Sequence, residues 1–388
     1  MSTSARLRAA LVAELAEEGG LLEPEWRGAA AAVPRELFVG SYFRAVAGSV
    51  PTAYRAVREG EPGWLEGIYS DRTLVTQLDG RVRPEDVTGG AVTGSPSSSS
   101  TLPSLVLRMW QQLDVGPGQR VLEIGTGTGY STAIGAHRLG EARLTSVEYD
   151  PEVGRAAAAA LAAAGFAPRL VIGDGLRGDP GGGPYDRLIA TCSVRYVPLP
   201  WLHQVRPGGK ILVTLSGWSY ANALALLDVT GPGEATGRFL PGFTSFMIAR
   251  PHDRPPRPAL VLLPGEERPS RIDPAVLDGW TGGWVAQLAA PSAERMGAGA
   301  EQILWDVSSG SQARTAPDSR GGWTVVQRGP LRLWDRVEEA VRRWQAAGEP
   351  HQQEFALTVT PTAQRVRLNP APTPEPDPDP DAGWALPI

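Results

Sequence analysis

Apolar residues at helical intervals over residues 4–18 predict an amphipathic helix, ended by Gly19-Gly20. A second short helix is expected from Pro24 to Ala32. Between residues 79 and 100 the pattern lapses into Gly, Pro, Asp and Ser, ending in Ser97-Ser98-Ser99-Ser100, and reads as loop or linker. A helical pattern resumes from Leu105 to Leu113 and is broken at Gly116-Pro117-Gly118.

Strand and helix patterns then alternate. Strands are expected at Arg120–Ile124, Leu144–Val147, Arg169–Ile172, Arg187–Thr191 and Lys210–Leu215. Helices are expected at Tyr130–Leu139, Glu152–Ala164 and Pro200–Val205. Such alternation predicts an α/β domain with a mostly parallel sheet covered by helices on both faces. Leu224–Val229 and Thr236–Leu240, joined through Gly231-Pro232-Gly233, form a candidate antiparallel hairpin closing that sheet.

Composition shifts at 250–258, a Pro- and Arg-rich hinge, and seven of the twelve tryptophans lie beyond it. That aromatic content implies a folded second module, with a helix at Leu331–Ala347 and a strand at Glu354–Thr360. From Asn369 to Asp381 proline alternates with acid, which predicts disorder. The expected organisation is an N-terminal helical, substrate-side extension (1–78) and a core (79–250) with a substrate loop at 91–104. An α+β Trp-rich accessory module (251–368) and a disordered tail (369–388) complete it.

Composition narrows the chemistry. With 42% hydrophobic and 20% charged residues the chain suits a soluble globular protein. The net charge of −5 and the lack of any dense Lys/Arg cluster argue against a nucleic-acid partner. One cysteine, Cys192, and four scattered histidines provide no metal-ligand pattern. Cys192 itself reads as a small buried hydrophobe. Arg6, Arg8 and Glu14 interrupt the N-terminal apolar positions, unlike a signal peptide, and no run of 18 apolar residues occurs. A cytoplasmic protein without membrane association is expected, acting as a monomer.

The chemical signal is Val121-Leu-Glu-Ile-Gly125-Thr-Gly127-Thr-Gly129-Tyr130, a buried strand running through a glycine loop into a helix. Glycines allow positive φ and close backbone approach, and the helix offers free N–H groups. The spacing is G-x-G-x-G, and Tyr130 stands where a dinucleotide fingerprint would place glycine. Glu148 follows the second strand, 23 residues beyond Gly125, where a carboxylate can accept from ribose hydroxyls. Asp174, between Gly173 and Gly175 after the third strand, suits an adenine amino group, although a plain turn would look the same.

Taken together, these motifs resemble the protein-L-isoaspartate O-methyltransferase family over residues 33–215. The resemblance is carried by Val33-Pro-Arg-Glu-Leu-Phe-Val39, Pro117-Gly-Gln-Arg-Val-Leu-Glu-Ile-Gly-Thr-Gly-Thr-Gly-Tyr130 and Val171-Ile-Gly-Asp-Gly175. Tyr185-Asp-Arg-Leu-Ile-Ala-Thr191 and Arg206-Pro-Gly-Gly-Lys-Ile-Leu-Val213 extend it. The resemblance implies a class I Rossmann-like methyltransferase using S-adenosyl-L-methionine. It implies cofactor contacts from Gly125, Gly127, Glu148, Asp174 and Gly175, with Glu123 and Thr126 beside the methionine portion. Family members carry Ser-x-Pro before the first core helix, its hydroxyl meeting the substrate carboxylate. Thr101-Leu102-Pro103 stands there in this chain, so Thr101, with Ser100 and Ser99, is the candidate catalytic turn.

The serine run, Tyr69–Gln77 and the region after 250 depart from the housekeeping pattern. They look like specialised actinobacterial members associated with ribosomally synthesised and post-translationally modified peptides, of graspetide, lanthipeptide or imiditide type. Such an enzyme would esterify an aspartate of a pre-cyclised precursor peptide, and the ester would close to an aspartimide. The alternatives are repair of isoaspartyl damage and a peptide-binding module without catalysis. Methylating an ionised carboxylate needs alignment and exclusion of water more than acid–base groups.

Overall fold

The structure, a computed structural model, describes residues 2–18, 23–256, 258–368 and 383–388. The chain forms two compact units, one of residues 1–192 with 203–212 and one of residues 193–202 with 213–388.

The first unit opens with α1 (Thr3–Glu18) and α2 (Pro24–Ala32). The Gly19-Gly20 stop expected after α1 lies outside the described residues. The expected helical extension over residues 1–78 is corrected: beyond Ala32 its elements are mainly strands. Beyond it run β1 (Tyr42–Ala45), β2 (Ala53–Val57), the short α3 (Trp64–Ile68), β3 (Leu74–Leu78), β4 (Val92–Thr93) and β5 (Pro96–Ser100). They make an antiparallel sheet of order β4-β2-β1-β3-β5, with Phe43, Tyr54, Leu78 and Val87 as its core.

The serine run expected to be loop is therefore strand. It pairs with β3 through Leu74↔Ser100, Val75↔Ser99 and Gln77↔Ser98. Ser98 and Ser100 point inward and Ser97 and Ser99 are half-buried, the two-residue alternation of a strand. Serine has little intrinsic strand preference, so the pairing with β3 decides the conformation here. That pairing also explains why position 78 is no boundary, since a cut there would sever β3 from β5.

After α4 (Pro103–Gln112) comes the α/β core: β6 (Val121–Ile124), α5 (Tyr130–Leu139), β7 (Leu144–Glu148), α6 (Pro151–Ala163), β8 (Arg169–Ile172), β9 (Tyr185–Val194), α7 (Leu199–Gln204) and β10 (Val205–Leu215). These strands run in the order β10-β9-β6-β7-β8. β6 pairs in parallel with both β7 and β9, and β7 with β8. The chain steps outward from β6 to β8 and then returns to β9 on the other side. Strand order reverses between β6 and β9, the point where open α/β sheets receive ligands beyond their carboxyl ends. All residues of β6 and β7 are buried, as strands covered on both faces require.

The second unit contains β11 (Ala223–Gly231) and β12 (Glu234–Phe239), the expected antiparallel hairpin. β12 does not end a sheet: it pairs with β18 (Phe355–Val359), which continues to β19 (Gln364–Leu368) and β20 (Trp384–Ala385). This long-range pairing is why residues before 250 group with the C-terminal region. It also corrects the expectation of a disordered tail over residues 383–388, where Trp384 is buried and pairs with Val366. The Pro/acid stretch 369–382 lies outside the described residues.

A second sheet, β13 (Glu266–Pro269), β14 (Glu294–Ala298), β15 (Glu301–Asp306), β16 (Ser311–Pro317) and β17 (Trp323–Arg328), has the order β13-β17-β16-β15-β14. On it packs α9 (Leu333–Ala346), and α8 (Trp280–Ala289) packs on α9. Trp284, Trp305, Trp334, Trp344 and Trp384 are buried, so the tryptophans of this region chiefly build its core. Glu338 on α9 is buried yet fully engaged, accepting both terminal nitrogens of Arg268 at 3.0 and 2.9 Å and the Arg271 amide at 2.8 Å. Among the described residues, no helix is long and apolar enough to cross a membrane.

Trp284 stands edge-on to Phe239 (4.8 Å between centroids) and to Phe355 (5.1 Å), joining α8 to β12 and β18. Truncating a buried aromatic costs about 3–5 kcal/mol. Trp284→Ala is expected to destabilise the protein by that amount in a denaturant titration; a loss below about 1 kcal/mol would contradict its place in the core.

Candidate functional site

Three loops converge at the carboxyl ends of adjacent strands β6, β7 and β8. Gly125 leaves β6 with φ +97°, and a Cβ there would stand 2.7 Å from Thr191 Oγ1. Thr191, on β9, donates its hydroxyl to the Gly125 carbonyl at 2.5 Å, with the Ile124 carbonyl at 3.1 Å. The loop is thereby tied to the strand across the reversal point. Gly127 also has positive φ, +56°, and a Cβ on it would lie 3.3 Å from the Ser99 carbonyl oxygen. Glycine suits this close approach, since another residue would be strained at that φ and tight against the end of β5.

Glu148, at the end of β7, is buried, and both its oxygens accept backbone N–H groups. Oε2 takes Gly127 at 2.8 Å and Oε1 takes Asp150 at 3.0 Å. A carboxylate oxygen has a further lone pair, so each can accept a second donor. Asp150 caps α6 through the Glu152 and Val153 amides and receives the Gln77 side chain at 3.1 Å. The antiparallel sheet is anchored there to the parallel one. Asp174 caps its own short turn, with Oδ1 accepting the Leu176 amide at 2.9 Å. A Cβ on Gly175 would strike Ile124 Cγ2 at 2.6 Å, so the acidic loop packs on the end of β6.

Glu123 and Thr126 occupy a different level. Glu123 is completely enclosed, its Oε2 accepting from Thr132 at 2.6 Å and Ser146 at 2.8 Å. Burial pushes its carboxyl above the usual range, opposed by the hydroxyls of Ser131, Thr132 and Ser146 and assisted by the charge of Glu148. Thr126 is buried too, its hydroxyl 2.7 Å from that of Ser146. These two side chains support the glycine loop from below, whereas Gly125, Gly127, Glu148, Asp174 and Gly175 form its upper rim.

The turn Ser99-Ser100-Thr101 sits against that rim. Ser100 is buried, and Ser99 and Thr101 are half-buried. Sequence reasoning quoted Arg35 within a motif but assigned it no role. The structure encloses its guanidinium completely, with hydrogen bonds to the Ser100 carbonyl at 3.2 Å and the Thr101 carbonyl at 3.1 Å. Its charge centre lies 5.6 Å from the ring of Tyr130, which gives the departure from glycine at that position a packing reason. Burial pulls the Arg35 pKa down to about 10, which leaves it a cation at neutral pH. Thr191, Asp150 and Gln77 were also missed, because their partners lie 66 to 73 residues away in sequence.

The family described as protein-L-isoaspartate(D-aspartate) O-methyltransferase matches residues 91–238. A protein-L-isoaspartate O-methyltransferase of Methanopyrus kandleri is 34% identical over 163 residues, covering 40% of this chain and 72% of that protein. That of Hyperthermus butylicus is 29% identical over 199 residues, covering 47% of this chain and 81% of its own length. A solved protein-L-isoaspartate O-methyltransferase shares the fold over 92% of this chain and 98% of its own, with a TM-score of 0.56 at 20% identity.

Cys192, next to Thr191, is half-buried rather than fully buried. Burial, with the charge of Glu148 adding to it, pushes its thiol up to about 12. The thiolate is the reactive form, so the native protein at pH 8 is expected to be alkylated far more slowly than a free cysteine with a pKa of about 8.5. Labelling by iodoacetamide as fast as in the urea-unfolded chain would contradict this.

Proposed function

The chain belongs to the protein-L-isoaspartate O-methyltransferase family, whose members are S-adenosylmethionine-dependent carboxyl O-methyltransferases, and we propose that it esterifies L-isoaspartyl residues of damaged polypeptides. The observation that carries this reading is the hydroxyl-bearing turn Ser99–Thr101 set against a glycine loop flanked by Glu148 and Asp174. The fold likeness to a solved isoaspartate methyltransferase extends over nearly the whole chain. The region after 250 is thus no argument for a separate specialisation.

The residues fit S-adenosylmethionine. Gly125 and Gly127 carry a backbone of positive φ that side chains rarely adopt, and the carboxylates of Glu148 and Asp174 stand at the ends of the neighbouring strands. When bound, S-adenosylmethionine supplies an activated methyl group on a sulfonium centre. Glu148 would accept from the ribose hydroxyls and Asp174 from the adenine amino group. The free carboxyl of an isoaspartyl residue is of α type, with a pKa of about 3.3–3.7, and is already ionised at neutral pH. The protein's task is therefore orientation, with the Thr101 hydroxyl donating to that carboxylate and the Ser99–Ser100 backbone holding it in place.

A second reading is favoured by Thr101 standing where the family pattern has serine, since the extra methyl narrows the site. In it the acceptor is an aspartate of a pre-cyclised ribosomal peptide. After esterification, the next backbone nitrogen attacks the ester carbonyl and methanol leaves, closing an aspartimide.

The repair reading expects linear isoaspartyl hexapeptides to be methylated readily and their aspartyl counterparts not at all. Preference for a macrocyclic aspartyl peptide over both would replace it with the second reading. Loss of a charge-assisted acceptor costs about 1.5–3 kcal/mol, so Glu148→Ala should weaken S-adenosylmethionine binding at least tenfold by calorimetry. Unchanged affinity in a folded variant would remove Glu148 from the cofactor site. Thr101→Val should lower turnover while leaving cofactor affinity nearly unchanged, and Thr101→Ser should retain activity. Wild-type turnover in the valine variant would refute the role given to Thr101.

A further inference from the structure

Arg35 makes more hydrogen bonds than holding one turn requires. Nη1 donates to the carbonyls of Ile68 (2.9 Å) and Ser70 (3.0 Å), and Nη2 to those of Arg72 (3.0 Å), Ser100 (3.2 Å) and Thr101 (3.1 Å). Nε reaches Ser100 Oγ at 3.3 Å. Every acceptor is neutral. Asp71 draws on the guanidinium from a distance, but among the described residues no carboxylate forms an ion pair with it, and Asp71 itself accepts the Ser104 amide at 2.8 Å.

A buried charge is ordinarily compensated by an opposite one, because hydrogen bonds to neutral groups satisfy its donors but leave its field in place. Here the charge is hydrogen-bonded directly to the backbone of Ser100 and Thr101, the residues read above as the seat of the acceptor carboxylate. The planar fork also suits the geometry, since one guanidinium can bridge residues 68–72 and 100–101 where an ammonium could not.

We propose that Arg35 is a positioning residue for methyl transfer, fixing the Ser100–Thr101 turn and supplying the positive charge that an incoming acceptor carboxylate compensates. The inference rests on the reading of Thr101 given under the proposed function. It predicts that affinity for an anionic acceptor is built partly into the fold, below the surface that the acceptor touches. It also assigns a purpose to a cation that cofactor binding does not use.

The test compares Arg35→Met, which retains bulk without charge, and Arg35→Lys, which retains charge without the fork. Melting temperature and S-adenosylmethionine affinity report whether each variant is folded. A merely structural role would lower the melting temperature and leave the kinetics of the folded enzyme unchanged. The proposal expects cofactor affinity within twofold of wild type in both variants. It expects the KM for an isoaspartyl peptide to rise at least tenfold in Arg35→Met. In Arg35→Lys, KM should rise less while kcat falls about fivefold, because the turn loses its bridge but the charge remains.

A folded Arg35→Met enzyme with peptide KM within twofold of wild type overturns the proposal. Should Arg35→Met fail to fold, an Arg35→Lys enzyme with unchanged kcat and KM overturns it equally. Thr101→Val measured in parallel separates the two readings. If it also leaves turnover untouched, the assignment of the turn has failed; if it alone lowers turnover, only the role of Arg35 has.

Discussion

Gly125 turns the chain out of β6 at φ +97°, and Thr191 Oγ1 occupies the space any side chain there would need. The other parts of the site take their positions from this turn. It brings the Gly127 amide to Glu148, and it leaves room for the Ser99 carbonyl to approach within 3.3 Å of where a Gly127 Cβ would be. A side chain at Gly125 would strike Thr191, and one at Gly127 would press on the Ser99 carbonyl at the end of β5. Close contacts at two backbone positions thus hold the glycine loop against β9 on one side and β5 on the other.

The ionisable groups around that turn are held in three distinct ways. Glu123 is buried among hydroxyls, with burial pushing its carboxyl up, and supports the loop from below. Glu148 is buried at the rim, where each of its oxygens accepts a backbone amide. Arg35 is buried among carbonyls, and among the described residues no carboxylate forms an ion pair with it. Similar burial therefore places the three groups among hydroxyls, backbone amides and backbone carbonyls respectively. What distinguishes them is the partner set, which hydrophobicity along the chain does not encode.

The second unit follows a different logic. Its core holds the aromatic cluster around Trp284, and its buried Glu338 carboxylate is matched in charge and in hydrogen bonds by Arg268. The tryptophan richness that marks this region in the sequence is spent largely on its own core. Composition alone did not separate that use from a binding surface, because buried and displayed aromatics look alike in a sequence.

The sequence by itself determined the elements whose signal is local. The buried strands Val121–Ile124 and Leu144–Glu148, the glycine loop and the acids at the strand ends all lie where the patterns put them, because short strands alternating with helices and a sharp glycine turn are local signals. Tertiary structure decided whatever depends on pairing between distant segments. Ser97–Ser100 became a strand only through β3, Trp384 joined a sheet only through β19, and the boundary expected at 250 gave way to the pairing of β12 with β18. Arg35 belongs to this second class, since the carbonyls that define its role come from residues 68–72 and 100–101. The physical reason is the same in each case. A hydrogen bond between distant residues leaves no periodicity in the chain, so neither polar composition nor hydrophobic pattern can announce it before the fold brings the partners together.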